Sequence, residues 1–303
     1  MRDELGATAS AVKERRRLWM GGRLPPPDRG DVRAVRPVPT RPPSPPPPSP
    51  LRWVEFCAVT ETGPTRPSHE DALVVGGVAA LAAGTRVTGW LPLSDQPVVL
   101  AAVDGMGGYA GGAQAAGLVA ATLAAEGARV DGAAWSAWLE HWSDRIASAG
   151  EAWGTAQMGA TMAALRLTGD GVEVVNVGDC RVYRAGDGYV GQLSVDDRLP
   201  GGMGSGVTQW LGGGTRALDP HRLEESLGSE RTRFMLCSDG LFGALDHAAL
   251  RGPLVQARTA SKACDALSAA ALAAQASDNF SVIVADVSAL GAAPPAVPPG
   301  VRL

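Results

Sequence analysis

Five aspartates in this chain stand where apolar runs begin or end. Asp104 closes Val98-Val99-Leu100-Ala101-Ala102-Val103, Asp239 follows Phe234-Met235-Leu236-Cys237 after Ser238, and Asp179 follows Val172–Val177 after Gly178. Asp71 leads into Ala72-Leu73-Val74-Val75, and Asp278 precedes the run from Asn279 to Val287. A carboxylate at the end of a buried strand is partly desolvated and requires a partner. Lysine is scarce as a partner, because beyond residue 50 only Lys262 remains. Carboxylates gathered where acids outnumber bases suit hard divalent cations bound through oxygen, Mg²⁺ or Mn²⁺ rather than zinc. Two such ions acidify a shared water and polarise a phosphoryl oxygen. Each Asp-Gly pair taken singly reads as a turn; five acids at strand ends are not explained by turns.

Other chemistries lack their residues. Cys57, Cys180, Cys237 and Cys264 are scattered with no Cys-x-x-Cys pair, so neither a disulfide framework nor a zinc ribbon is expected, and all four read as small core residues. Cys237 also lacks the arginine six residues on that a thiolate phosphatase loop needs. Gly107-Gly108-Tyr109-Ala110-Gly111-Gly112 lacks the Gly-Lys-Ser/Thr ending of a phosphate-cradling loop. No Gly-x-Ser-x-Gly or His-Glu-x-x-His motif occurs.

The elements that must position the aspartates alternate between short strands and helices in blocks. Strands are expected at Arg52–Val59, Val98–Val103, Thr161–Leu167, Val172–Val177, Arg181–Arg184, Phe234–Cys237 and Asn279–Val287. Gly169-Asp170-Gly171 and Gly186-Asp187-Gly188 read as hairpin turns, hence antiparallel pairing. Helices are expected at Ala113–Ala128, at Asp131–Ala149 with Asp131 as its cap, and at Ser261–Ala274. Trp135, Trp138 and Trp142 share one face of the second helix, where packing against a sheet explains them. The class is α+β with antiparallel sheets.

The 303 residues hold 45% hydrophobic and 19% charged residues, enough for a sizeable core. A net charge of -4 argues against a nucleic-acid binder. No run of about 18 apolar residues is present, so no membrane span is expected, and with no apolar leader the expected location is cytoplasmic. Residues 1–50 stand apart: twelve of the 23 prolines lie there, with a basic excess. They read as a basic, proline-rich, largely disordered arm that docks a partner or tethers the domain. Residues 3–20 are open to a short helix. Residues 51–288 would be the folded domain and 289–303 a flexible tail.

Arg66-x-x-x-Glu70-Asp71, Val103-Asp104-Gly105-Met106-Gly107-Gly108, Asn176-Val177-Gly178-Asp179-Cys180-Arg181, Leu236-Cys237-Ser238-Asp239-Gly240-Leu241 and Asp278-Asn279-Phe280-Ser281 occur in this order. Together they resemble the metal-dependent, type 2C (PPM) protein serine/threonine phosphatases, in their bacterial branch, across residues 52–287. Gly159-Ala160-Thr161 resembles a strand start of that family. The resemblance implies a four-layer α-β-β-α sandwich, two antiparallel sheets flanked by helices, with two Mn²⁺ or Mg²⁺ ions at one end. It implies that Asp104 bridges the ions, that the Gly105 carbonyl and Asp71 complete their coordination, and that Asp239 and Asp278 hold the first. Asp179 takes a position that helps hold a third ion. By the same resemblance Glu70 would act through metal-bound water, and Arg66 would grip the phosphate. The implied reaction is hydrolysis of phosphoserine and phosphothreonine in proteins by a metal-activated bridging water, opposing a serine/threonine kinase.

The chain departs from the family pattern in three places. His69 stands where Asn is usual, which reads as a structural substitution. Cys180 replaces a common Ser. The loop after Asp104 carries Met106 and Tyr109 rather than a histidine, and Tyr109 reads as packing rather than as a proton donor. That missing acid motivates a second reading, a pseudo-phosphatase that binds or scaffolds phosphoproteins. The glycine-rich stretch from Asp196 to Thr215 matches the family's mobile flap, with Val207–Gly212 expected as a short helix.

Overall fold

The computed structural model describes residues 52–94, 96–107, 110–199, 206–214 and 217–293. The proline-rich arm, the helix considered at 3–20, Tyr109, much of the glycine-rich stretch and the end of the C-terminal tail lie outside the described residues.

Two antiparallel sheets carry the fold. The first runs β4 (Thr85–Leu93), β1 (Arg52–Glu61), β13 (Phe280–Val287), β12 (Thr232–Cys237), β8 (Arg181–Gly186), β9 (Tyr189–Gln192). The second runs β11 (His221–Ser226), β7 (Gly171–Val177), β6 (Gly159–Leu167), β5 (Val98–Met106), β2 (Asp71–Val75), β3 (Val78–Ala80), with β10 (Leu211–Gly212) added to β6. The helices are α1 (Ala110–Glu126), α2 (Ala134–Trp153), α3 (Asp239–Ala244), α4 (His247–Gln256) and α5 (Ala260–Ala273).

Side-chain alternation sorts the residues into layers. Val54, Phe56, Leu73, Leu100, Ala102, Leu165, Phe234, Leu236 and Ile283 fill the space between the sheets. Their strand neighbours Cys57, Met235, Val282 and Val284 pack outward with Leu250, Leu254 and Leu267 of α4 and α5. On the other side Ala72, Val74, Ala101, Val103 and Met162 pack with Ala116, Leu123 and Leu139 of α1 and α2. The result is the expected α-β-β-α sandwich. All four cysteines are free and buried, as small core residues.

The two expected hairpin turns close β6–β7 and β8–β9. Two local expectations are corrected. Helix α2 begins at Ala134 with no side-chain cap, and Asp131 contributes only its carbonyl, accepting from Ala134 N at 3.0 Å. Val207–Gly212 is not a helix: Leu211 and Gly212 pair with Ala160 and Gly159, so this stretch adds a short strand to the sheet. Trp135 is buried as expected, while Trp138 and Trp142 donate their indole N–H groups to Glu126 Oε2 at the end of α1, at 3.0 and 3.3 Å.

Candidate metal centre

The inward stripe of each central strand changes character at one end of the sandwich. Continuing the two-residue period from the apolar layer reaches Thr60 on β1, Asp71 on β2, Asp104 on β5, Thr161 on β6, Asn176 on β7 and Ser281 on β13. Pairing aligns Asp71 with Asp104, and Asp104 with Thr161. A cavity of about 440 Å³ opens there, lined by Arg66, Glu70, Asp104, Gly105, Asp179 and Asp239, with Asp278 beside them. A larger groove, about 600 Å³ around Arg166 and Glu173, lies at the other end of the β6–β7 hairpin and contains none of the predicted site residues.

Neither Asp-Gly pair here is a simple turn. Asp104-Gly105 lies within β5, and Asp239-Gly240 opens α3. Both glycines serve close approach. A Cβ on Gly105 would drive into the Gly112 carbonyl and sit 2.6 Å from Glu70 O; one on Gly240 would strike the Asn279 carbonyl and lie 3.3 Å from Asp278 Cβ. Any side chain would therefore push the acids apart.

Asn279 holds the loop bearing Arg66 and Glu70. Its Oδ1 accepts from Glu70 N at 2.8 Å, and its Nδ2 donates to Thr62 O at 2.8 Å and Ser68 O at 2.9 Å. Arg66, with half its side chain exposed, pairs with Asp278.

Asp71 does not line the cavity. It is buried beneath it, where Oδ2 accepts from Ser238 Oγ at 2.6 Å and Ser281 Oγ at 2.7 Å. Thr60 Oγ1 lies 2.7 Å from Ser281 Oγ and 2.9 Å from His69 Nε2. Since Ser281 donates to Asp71, Thr60 donates to Ser281, and His69 donates through Nε2–H. His69 thus anchors a buried polar chain, while its Nδ1 has no partner among the described residues. Cys180 Sγ joins Thr161 Oγ1 at 3.3 Å.

Sequence reasoning missed Arg198 and Asp197. Arg198 Nε donates to Asp179 Oδ2 at 2.7 Å, and Nη2 reaches Asp239 Oδ2 at 3.2 Å. In sequence it is one arginine after two aspartates, which reads as a solvated charge run. The only hint was its place just before the glycine-rich stretch.

Enclosure and mutual repulsion act together on the acids. Burial, then Asp71, Asp239, Asp179 and Asp278, raise the Asp104 pKa well above the ordinary carboxylate range. Burial pushes Asp71 up to about 7. Burial, then Asp179 and Asp278, raise Asp239 while Arg198 lowers it. Burial also raises Glu70. Among the described residues no three acid, histidine or cysteine side chains converge on one point, and arginines hold Asp278, Asp179 and Asp239 instead. The donor set nonetheless fits hard divalent cations: carboxylates and a backbone carbonyl with net negative charge and no thiolate or imidazole in the lining.

A pH dependence follows. Raised carboxylates keep protons in the folded state that the unfolded chain has released, so without metal the protein gains stability as pH falls from about 7.5 to about 5.5. His69, lowered by burial, opposes this below about 6.5, but one imidazole faces the four raised acids Asp104, Asp71, Asp239 and Glu70. Melting temperatures in EDTA at the two pH values check the sign, and a lower value at acid pH contradicts it.

The family model described as Protein phosphatase 2C matches residues 87–279, more than half the chain. The chain belongs to the protein phosphatase 2C family. The match begins within β4, so Arg66, Glu70 and Asp71 precede it, while Asp104, Asp179, Asp239 and Asp278 fall inside. The serine/threonine protein phosphatase PstP of Mycobacterium tuberculosis is 29% identical over 258 residues, covering 77% of this chain and 45% of PstP. The chain thus spans less than half the length of the curated relatives it matches. Among solved structures, PppA, a regulatory component of T6SS in Pseudomonas aeruginosa, superposes with a TM-score of 0.62 at 23% identity, covering 78% of this chain and 98% of that one. The PstP catalytic domain with two manganese ions gives 0.61 at 25% identity, covering 78% and 99%. The S. agalactiae serine/threonine phosphatase gives 0.63 at 22%, covering 78% and 99%. As a 2C-family fold, the chain has its acidic cavity between the ends of the two sheets. Among the described residues, no helix is long and apolar enough to cross a membrane.

Proposed function

We propose that this chain is a metal-dependent protein serine/threonine phosphatase that uses two Mn²⁺ or Mg²⁺ ions. The carrying observation is the cavity lined by Asp104, Asp239, Asp278 and Gly105, together with Glu70 and Asp179, where carboxylates outnumber the arginines that pair with them. Asp104, central to the mutual repulsion, would be shared between the ions. Asp239 and Asp278 would hold one and the Gly105 carbonyl the other. When bound, the ions supply Lewis-acid polarisation of phosphoryl oxygens and a water of lowered pKa. Asp71, one layer below, acts as a positioning residue: it receives two serine hydroxyls and fixes Ser238 against the start of α3. Glu70 Oε1, accepting from Ser68 Oγ at 3.2 Å, orients solvent beside the cavity.

Arg66 is suited to the phosphate. A guanidinium fork binds two phosphate oxygens at once, and half its side chain stays accessible at the cavity mouth. Exchanging Asp278 for a phosphate oxygen needs only a swing of its own side chain. Arg66→Ala is expected to raise KM roughly tenfold for a phosphopeptide, with metal binding retained. Steady-state kinetics beside calorimetry separate the two effects. An unchanged KM removes Arg66 from substrate binding.

The substrates would be phosphoserine and phosphothreonine in proteins phosphorylated by a serine/threonine kinase, with no covalent phosphoenzyme. The binding-only alternative has no specific observation in its favour, since every carboxylate a two-ion centre needs is present. Phosphate release from a phosphothreonine peptide by the full chain, with Mn²⁺, with EDTA and for Asp239→Asn, tests the proposal. Release is expected only from the unaltered chain with metal. Equal release in EDTA would refute it.

A further inference from the structure

Arg198 is the only cation that joins two of the predicted metal-site carboxylates to each other among the described residues. Asp179 is almost wholly enclosed, its side chain 3% exposed, and its Oδ2 is held by Arg198 at 2.7 Å. The same guanidinium reaches Asp239 Oδ2 at 3.2 Å. One delocalised charge thus stands between two carboxylates, a place where a divalent cation would otherwise be attracted.

The backbone aims this arginine. Asp197, buried, takes Gly178 N on Oδ2 at 2.8 Å, and Gln209 Nε2 and His221 Nε2 on Oδ1 at 2.7 and 2.8 Å. Asp197 N donates to Gly178 O at 3.0 Å, and Thr208 N donates to Asp197 O at 2.7 Å. Arg198 itself bridges Val207 across the same ladder. Its guanidinium carbon lies 5.3 Å from the centre of the Phe242 ring, one turn along α3 from Asp239. Arg66 contrasts with it: that side chain is half exposed and tied by a single ion pair. A side chain fixed from its own backbone outward, with its charge on two acids, is built to stay.

We propose that Arg198 is a resident substitute for a metal ion at the Asp179–Asp239 edge, so that the cavity of this chain accepts two divalent ions and no third. The guanidinium neutralises Asp179 and one oxygen of Asp239. The other oxygen of Asp239, on the Asp104 side, would serve the centre shared with Asp104 and Asp278. This rests on the two-ion reading above, and its test separates the two ideas.

Mn²⁺ is titrated calorimetrically into the full chain and into Arg198→Met, which keeps an unbranched stem beside Phe242 and removes the charge. Arg198→Gln is a second variant should methionine prevent folding, which thermal melting reports. The unaltered chain should bind two ions, and either folded variant three. Asp179→Asn added to the variant should return the count to two. Two ions in both the unaltered chain and a folded variant would overturn the proposal and leave the metal centre standing. A third ion that survives Asp179→Asn would overturn it as well, by placing the extra ion elsewhere. No ion bound by any form would overturn both readings.

Discussion

Asp104→Asn is expected to abolish detectable Mn²⁺ binding and to lower kcat/KM for a phosphothreonine peptide by at least about three orders of magnitude, the scale on which removal of a principal electrostatic group acts. The reason is position. Asp104 is the acid whose charge is opposed by all four of Asp71, Asp239, Asp179 and Asp278, so it stands where their fields overlap and where the proposed cations would be held best. The amide keeps the shape and loses the charge. Stability should move the other way. In the folded, metal-free protein the raised pKa of Asp104 marks a carboxylate held at a cost, and its contribution above the unfolded-state pKa is destabilising. In EDTA the variant should therefore melt at or above the temperature of the unaltered chain. Activity lost with a melting point several degrees lower in EDTA would instead mark Asp104 as structural. Calorimetry and melting on one preparation distinguish the outcomes.

The same alternation made much of this site legible in sequence. Apolar runs in β5, β7 and β12 announced buried strands, and an aspartate at the end of each had to face a space that other strand ends could share. What alternation left out was depth. Asp71 and Asp104 both belong to the inward stripe, yet Asp104 lines the cavity and Asp71 lies beneath it, because two serines, one leading into α3 and one on β13, close over Asp71. Those serines announce nothing in sequence. Arg198 was illegible for a related reason: its partners are 19 and 41 residues away, and its aim is set by Asp197 contacts that depend on β7 and β11 being in place. Edge strands such as β3, β9 and β11 escaped because half-exposed residues carry little periodic signal. The expected helix at Val207–Gly212 failed where strand pairing with β6 overrode local preference.

Asp286→Ala is the second large effect, and it concerns stability alone. Asp286 on β13 is paired with Arg233 on β12, and both are enclosed beneath α4. Arg233 Nε and Nη2 donate to Oδ1 at 2.6 Å and Oδ2 at 2.8 Å, and Arg231 Nη2 donates to Oδ2 at 2.5 Å. Arg233 Nη1 meanwhile caps the end of α4, donating to Leu254 O and Ala257 O at 2.9 Å each. Truncating Asp286 leaves a guanidinium 7% exposed with carbonyls as its remaining partners. Breaking such a pair from one side costs about 3–5 kcal/mol, on the order of 10 °C in Tm for a domain of this size. Glu55, raised by burial and then by Asp286 across the ladder, gains a little relief, which offsets the loss only slightly. Arg233→Met with Asp286→Ala should recover part of the loss and not all, because the buried charge is gone while the two carbonyls ending α4 lose their donor. Urea denaturation of the three proteins, with Mn²⁺ binding measured on the folded fractions, checks this. A loss below about 1 kcal/mol for the single variant would mean that the pair is screened as an exposed one is. Full recovery in the double variant would mean that the guanidinium does not cap the helix.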